Sequence, residues 1–189
     1  MKLLVVNNHD SFTYNLVELV RQLNVPYQVV NVEVMTEDTP KDFSHILISP
    51  GPDVPSAYPQ LFKLLQNTYR EKSILGVCLG LQTLGQFFGA HLYNLATPRH
   101  GLQSQIKMLV KTRMWQALPE QFKVGLYHSW ALSKEDFPTQ LQIVAEDDAG
   151  VVMAFQHREL PIFAVQFHPE SYMSQYGVEL LRAWLFHTG

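Results

Sequence analysis

The sequence predicts a doubly wound α/β sheet, mostly parallel, with helices on both faces. Three observations carry that expectation. Short apolar runs occur without polar alternation, as strands buried on both faces require. Segments with apolar residues at helical spacing lie between them, and turn residues cluster where the runs end.

Residues 2–7 form the first such run. Asp10 or Ser11 then caps a helix on which Phe12, Leu16, Leu19, Val20 and Leu23 recur at helical spacing, and Asn24 ends it before Pro26. Residues 27–32 read as a second strand and 43–48 as a third, broken sharply by Ser49-Pro50-Gly51-Pro52-Asp53. Residues 58–69 look helical, with Leu61, Leu64, Leu65 and Thr68 on one side. The run from Ile74 ends at Cys78 and becomes a helix through Leu81, Leu84, Gln86 and Phe88, where Gly85 and Gly89 allow close packing or termination. Beyond Pro98, residues 105–110, 125–132, 141–145, 151–155 and 161–167 are strand-like and extend the same sheet. Residues 174–187 close the chain as a helix with Tyr176, Leu180, Leu181, Trp184 and Leu185 inward. In such sheets ligands sit beyond the carboxyl ends of the strands, where residues 8–11, 50–53 and Cys78 would all lie.

The chain has 189 residues, which suits a single domain over 1–189. Lys and Arg number 14 against 17 Asp and Glu, without long runs of either sign, so nucleic acid and anionic membranes are not expected partners. A single cysteine excludes an internal disulfide, and a free thiol kept for chemistry suits a reducing cytoplasm. The apolar run at the amino terminus is too short for a secretory signal. Residues 73–98 carry no Asp, Glu, Lys or Arg, yet Gln82, Gln86, His91, Asn94 and four glycines argue for a buried strand and helix rather than a membrane span.

Chemistry points first to Cys78, held between Gly76 and Gly80 where a strand turns into a helix. Small neighbours permit a sharp turn that exposes the sulfur, and a helix N-terminus favours the thiolate and offers free N–H groups. A nucleophile needs a base. His168 and Glu170 leave an apolar strand two residues apart, so an extended backbone turns both to one side, with Pro169 stiffening the exit. An imidazole beside a carboxylate can take a thiol proton while the carboxylate fixes its tautomer.

With these residues in view, the sequence resembles the class I (triad) glutamine amidotransferases along nearly its whole length. Gly76-Val77-Cys78-Leu79-Gly80-Leu81-Gln82 looks like the nucleophile elbow, Phe167-His168-Pro169-Glu170-Ser171 like the His-Glu signature, and Ser49-Pro50-Gly51-Pro52 like the oxyanion strand. Asn8-His9-Asp10-Ser11-Phe12-Thr13-Tyr14-Asn15-Leu16 and Tyr127-His128-Ser129 are similar to the glutaminase components of anthranilate synthase and para-aminobenzoate (aminodeoxychorismate) synthase.

The resemblance implies a three-layer, flavodoxin-like fold and a Cys78, His168, Glu170 triad that hydrolyses L-glutamine through a γ-glutamyl thioester. It implies an oxyanion hole from the backbone N–H groups of Gly51 and Leu79, and glutamine binding by Gly51, Pro52, Gln82, Ser129 and Trp130. It implies no cofactor and no metal. Its partner would be a larger chorismate-binding synthase subunit in the folate or the tryptophan pathway. Residues 10–16 and the apolar residues around 93–95 suit a surface facing that subunit, and suit ordinary helix capping and core equally.

Leu81, Asp53 and Leu102 depart from the residues usual in the family. His100 and Gly101 match it but suit surface structure equally, and His128 reads as a hydrogen-bonded core histidine. Three other function classes fit less well. A non-catalytic docking subunit would not need Cys78, His168 and Glu170 intact. A nucleotide or flavin module would call for G-x-G-x-x-G or G-x-x-x-x-G-K-[ST], and a metal hydrolase for H-E-x-x-H or Cys-x-x-Cys; none occurs.

Overall fold

The computed structural model describes residues 1–186. Nine strands among them form one sheet: β1 (Leu3–Asn7), β2 (Tyr27–Asn31), β3 (His45–Ile48), β4 (Ser73–Val77), β5 (Leu92–Met108), β6 (Gln121–Leu132), β7 (Leu141–Asp147), β8 (Val152–His157) and β9 (Ile162–Val165). Their order is β2-β1-β3-β4-β9-β8-β7-β5-β6. The half from β2 to β9 is parallel, and β8, β7, β5 and β6 continue it in antiparallel fashion. Four helices flank it: α1 (Thr13–Gln22), α2 (Pro59–Thr68), α3 (Leu79–Phe87) and α4 (Gly177–Leu185).

The absence of alternation in the parallel strands has a direct cause in the packing. Leu3, Val5, Leu47, Leu75, Val77 and Val165 join a core with α1 and α4, while Leu4, Val6, Ile46, Ile48, Ile74 and Ala164 join a second core with α2 and α3. Successive side chains of one strand point to opposite faces, so both must be apolar when both faces are covered.

The helices stop and start close to where the sequence places them. Asn24 ends α1 in a left-handed conformation with φ 54°, and Gly89 with φ 98° ends α3. Asp10 contributes at the start of α1 by accepting the Phe12 N–H at 2.8 Å, one turn outside the helix; the N-cap position itself is Phe12. Helix α4 spans Gly177–Leu185 and so begins later than the predicted 174, because Ser174 Oγ is tied to the His168 carbonyl and the Gly125 N–H, and the Ser174 and Gln175 N–H groups to the Ser171 and Lys123 carbonyls. His187, the last residue of that predicted helix, lies outside the described residues.

The largest departure from expectation is β5. The sequence places a strand only from 105, whereas β5 begins thirteen residues earlier; Pro98 and Gly101 lie within that added stretch. They sit at register shifts between β5 and β6, where a proline or a glycine with φ 69° interrupts pairing without ending the strand.

Candidate functional site

Register builds the site. Val6, Ile48, Gly76 and Ala164 stand level on adjacent parallel strands. Asn8, Pro50, Cys78 and Gln166, each two residues further on, therefore emerge together at the carboxyl edge of the sheet. Between them and the β5–β6 hairpin lies a cavity of about 380 Å³, lined by Asp10, Phe12, Gly51, Pro52, Asp53, Cys78, Leu79, Gln82, His100, Tyr127, His128, Ser129, Trp130 and His168 among others. All the residues singled out from the sequence for chemistry or substrate line it except Glu170, which stands behind His168. A wider groove of about 760 Å³ lies at the other end of α3, between Tyr69, Phe87, Phe88 and His157, and holds none of them.

Cys78 occupies the turn from β4 to α3 with φ 53° and ψ −102°, a conformation that L-residues seldom adopt. Three close contacts hold it there. The Cys78 N–H donates to the Val165 carbonyl at 2.8 Å, extending the ladder with β9. A Cβ on Gly76 would lie 2.5 Å from the Gly80 backbone, and one on Gly80 2.5 Å from the Ile48 carbonyl oxygen. The two glycines thus let α3 start directly against β3 and β4, with the sulfur at its N-terminus. Leu79, the first helical residue, offers an N–H with no intrahelical acceptor.

His168 and Glu170 meet as their spacing suggested, with Nδ1 and Oε1 2.7 Å apart and both side chains buried. The rings of Phe12 and Tyr127 pack edgewise on the imidazole, at 5.2 and 5.0 Å between centroids. Burial pulls this imidazole toward its neutral form, but the neighbouring Cys78 and the Glu170 carboxylate outweigh it and hold its pKa well above the ordinary value. Nε2 is buried and meets no aligned hydrogen-bond partner among the described residues.

Gly51 lies against Leu79, since a Cβ there would collide with Leu79 Cδ2 and come within 2.8 Å of Asn8 Cβ. Asn8 fixes that loop: its Nδ2 donates to the Ser49 carbonyl at 2.8 Å, and its N–H to Ser49 Oγ at 3.0 Å. Asp53 takes φ 77° and accepts the Val54 N–H at 2.9 Å. Aspartate is one of the few residues other than glycine that tolerates this backbone, which accounts for its presence on the loop. Leu81, by contrast, faces away from the cavity into the core beneath α2 and α3. Leu102 is exposed on β5.

On the opposite wall, the Trp130 carbonyl accepts two hydrogen bonds, from His128 Nδ1 at 2.8 Å and from Gln82 Nε2 at 3.1 Å. Burial pushes the His128 imidazole down to about 4. His100, which the sequence left undecided, reaches Ser129 Oγ at 2.9 Å and forms part of the wall. Tyr127 packs on His168 and touches Ser171 Oγ at 3.1 Å. Sequence reasoning passed over Gln166, fully buried beside Cys78, whose Nε2 donates to Sγ over 3.6 Å. Its signal was its offset, two residues before His168 on the strand next to the nucleophile's.

Over residues 4–188 the sequence matches the family of class-I glutamine amidotransferases. The chain belongs to that family. A Haemophilus influenzae protein provisionally named anthranilate synthase component II is 60% identical over 185 residues, covering 98% of this chain and 96% of that one. The aminodeoxychorismate/anthranilate synthase component 2 of Bacillus subtilis is 34% identical over 97% of this chain and 95% of its own. Among solved structures, a Thermoplasma acidophilum protein provisionally described as part of a GMP synthase aligns with TM-score 0.88 at 23% identity, covering 98% of this chain and 92% of the other. A glutamine amidotransferase from Thermotoga maritima aligns with TM-score 0.79 at 17% identity, covering 98% and 80%. The class-I amidotransferase fold is therefore shared beyond the reach of close sequence likeness.

Proposed function

We propose that this chain, as a single amidotransferase domain over 1–189, hydrolyses L-glutamine to glutamate and ammonia and delivers the ammonia to a chorismate-aminating synthase subunit. The observation that carries the reading is the meeting, in one cavity, of a strained and glycine-flanked Cys78 with a buried His168–Glu170 pair. Names of relatives supply the acceptor: the Bacillus subtilis protein is named for both anthranilate and aminodeoxychorismate synthases.

In this mechanism His168 takes the Cys78 proton and the sulfur attacks the glutamine side-chain carbonyl carbon. The resulting oxyanion sits between the N–H groups of Leu79 and Gly51. As the C–N bond breaks, His168 returns the proton to the leaving nitrogen, which departs as ammonia. Glu170 holds the imidazole in the Nδ1–H tautomer and steadies its charge. Water, deprotonated by His168, then attacks the γ-glutamyl thioester, releasing glutamate and restoring the thiol. Gly51, Pro52, Gln82, Ser129 and Trp130 bind the glutamine. The surface beside the cavity, with Tyr14 and Tyr93 exposed, faces the synthase.

Cys78→Ser tests the reading. Assayed with the synthase co-purified from the source cell, the variant should lose glutamine-dependent amination while ammonia-dependent amination persists. Undiminished use of glutamine would refute the nucleophile assignment. The identity of the co-purified synthase names the product.

A further inference from the structure

The proposed chemistry leaves Gln166 unused, although its side chain bridges Gln82 and the Cys78 sulfur. Gln82 Nε2 contacts both the Trp130 carbonyl, at 3.1 Å, and Gln166 Oε1, at 3.3 Å. A backbone carbonyl can only accept, so the Gln82 atom facing it must be the amide nitrogen, and its second N–H is the one that meets Gln166. An acceptor is therefore required of Gln166 on that side. The orientation of the Gln166 amide follows: its carbonyl faces Gln82 and its NH2 group faces Cys78, with Nε2 3.6 Å from Sγ. Gln166 has no exposed surface, and its backbone N–H is tied to the Met153 carbonyl at 2.8 Å, so it has little room to turn.

We propose that Gln166 is a further catalytic residue, a fixed N–H donor to the Cys78 sulfur that stabilises the thiolate before attack. This role deepens the glutaminase reading and rests on it. A thiol sulfur is a poor acceptor, whereas a thiolate makes a charge-assisted bond, so the donor favours the charged, nucleophilic form selectively. Proton transfer remains with His168, and no atom of Gln166 is gained or lost. The same chain of contacts joins the sulfur to the wall that holds the substrate, because Gln82 bonds to Gln166 on one side and Trp130 on the other.

Cys78 is the only cysteine, so alkylation of the protein's thiol reports on this sulfur alone. Gln166→Met keeps the length of the side chain and removes the donor, leaving His168 and Glu170 in place. Iodoacetamide modification at pH 7 without glutamine should slow about tenfold or more, with kcat falling alongside it. Wild-type alkylation with a lowered kcat would mean that Gln166 acts only through Gln82, and would overturn the proposal. Because a buried substitution can impair folding, a second measurement uses the unaltered residue. In the 15N-labelled protein, the Gln166 side-chain amide protons should shift upfield when Cys78→Ala removes the sulfur, and an unmoved resonance would likewise overturn it. Failure of the glutaminase reading looks different: alkylated Cys78 would still turn over glutamine.

Discussion

His128 and His168 line the same cavity, yet their surroundings drive their imidazoles in opposite directions. His168 has the Cys78 sulfur and the Glu170 carboxylate against it, and is held above the ordinary histidine value despite deep burial. Its contribution to stability is present below the unfolded value and fades as pH rises through the folded one. His128 is dominated by burial, with Arg99 and His168 adding to the same effect, and its pKa falls to about 4. An unfolded chain then binds the extra proton more readily, so this histidine costs stability as pH falls from about 6.5 toward 4, by at most about 3 kcal/mol. His128→Asn keeps a donor for the Trp130 carbonyl and removes the titration. Thermal melting of that variant should therefore lose less stability than wild type between pH 6.5 and 4; equal losses would contradict the assignment. The pairing of His168 with Glu170 was legible from their two-residue spacing. His128 is buried and hydrogen-bonded, as its sequence reading has it; that its partner is the Trp130 carbonyl was not legible, because nothing local to Tyr127-His128-Ser129 shows which way the ring turns.

Helix α3 depends on two close approaches of different kinds. A Cβ on Gly80 would stand 2.5 Å from the Ile48 carbonyl, an atom fixed in the sheet, whereas one on Gly85 would stand 2.5 Å from Leu132 Cδ1, the end of a flexible side chain. Alanine recovers about 1 kcal/mol of helix propensity over glycine at either position, while overpacking costs about 1–3 kcal/mol when the neighbour cannot move. Urea denaturation should show Gly80→Ala destabilised by about 2 kcal/mol and Gly85→Ala within about 1 kcal/mol of wild type. Similar losses at both sites would mean that α3 does not rest on β3 as described. The helix itself was plain from its apolar spacing, as were α1 and α2. The first part of strand β5 was not: Pro98 and Gly101 break the strand pattern, and only pairing with β6 shows that they mark interruptions within a strand.

The molecule brings the site together from both halves of its sheet. The parallel half supplies Gly51, Cys78 and His168, with Gln166 against the Cys78 sulfur, and the antiparallel hairpin supplies His100, His128, Ser129 and Trp130 as a separate wall. His168 Nε2 has no aligned partner among the described residues, and catalytic hydrogen bonds commonly tighten only in the substrate complex. The chain alone should accordingly show weak glutaminase activity, rising about tenfold or more once chorismate and the synthase are added, a coupling of ordinary size. Steady-state glutamate release measures it, and a fully active free chain would contradict it.

Sequence by itself determined the layered α/β architecture, since continuous apolar runs are stable only as strands covered on both faces. It also determined the Cys78 elbow and the His168–Glu170 pair, because each is a local pattern whose geometry follows from spacing. Tertiary structure alone decided which distant groups face one another. Ile48 under Gly80, Leu81 turned into the core, His100 on Ser129 and Gln166 against the Cys78 sulfur all arise from strand register and helix packing, and contacts between separate strands leave no mark in the neighbouring sequence.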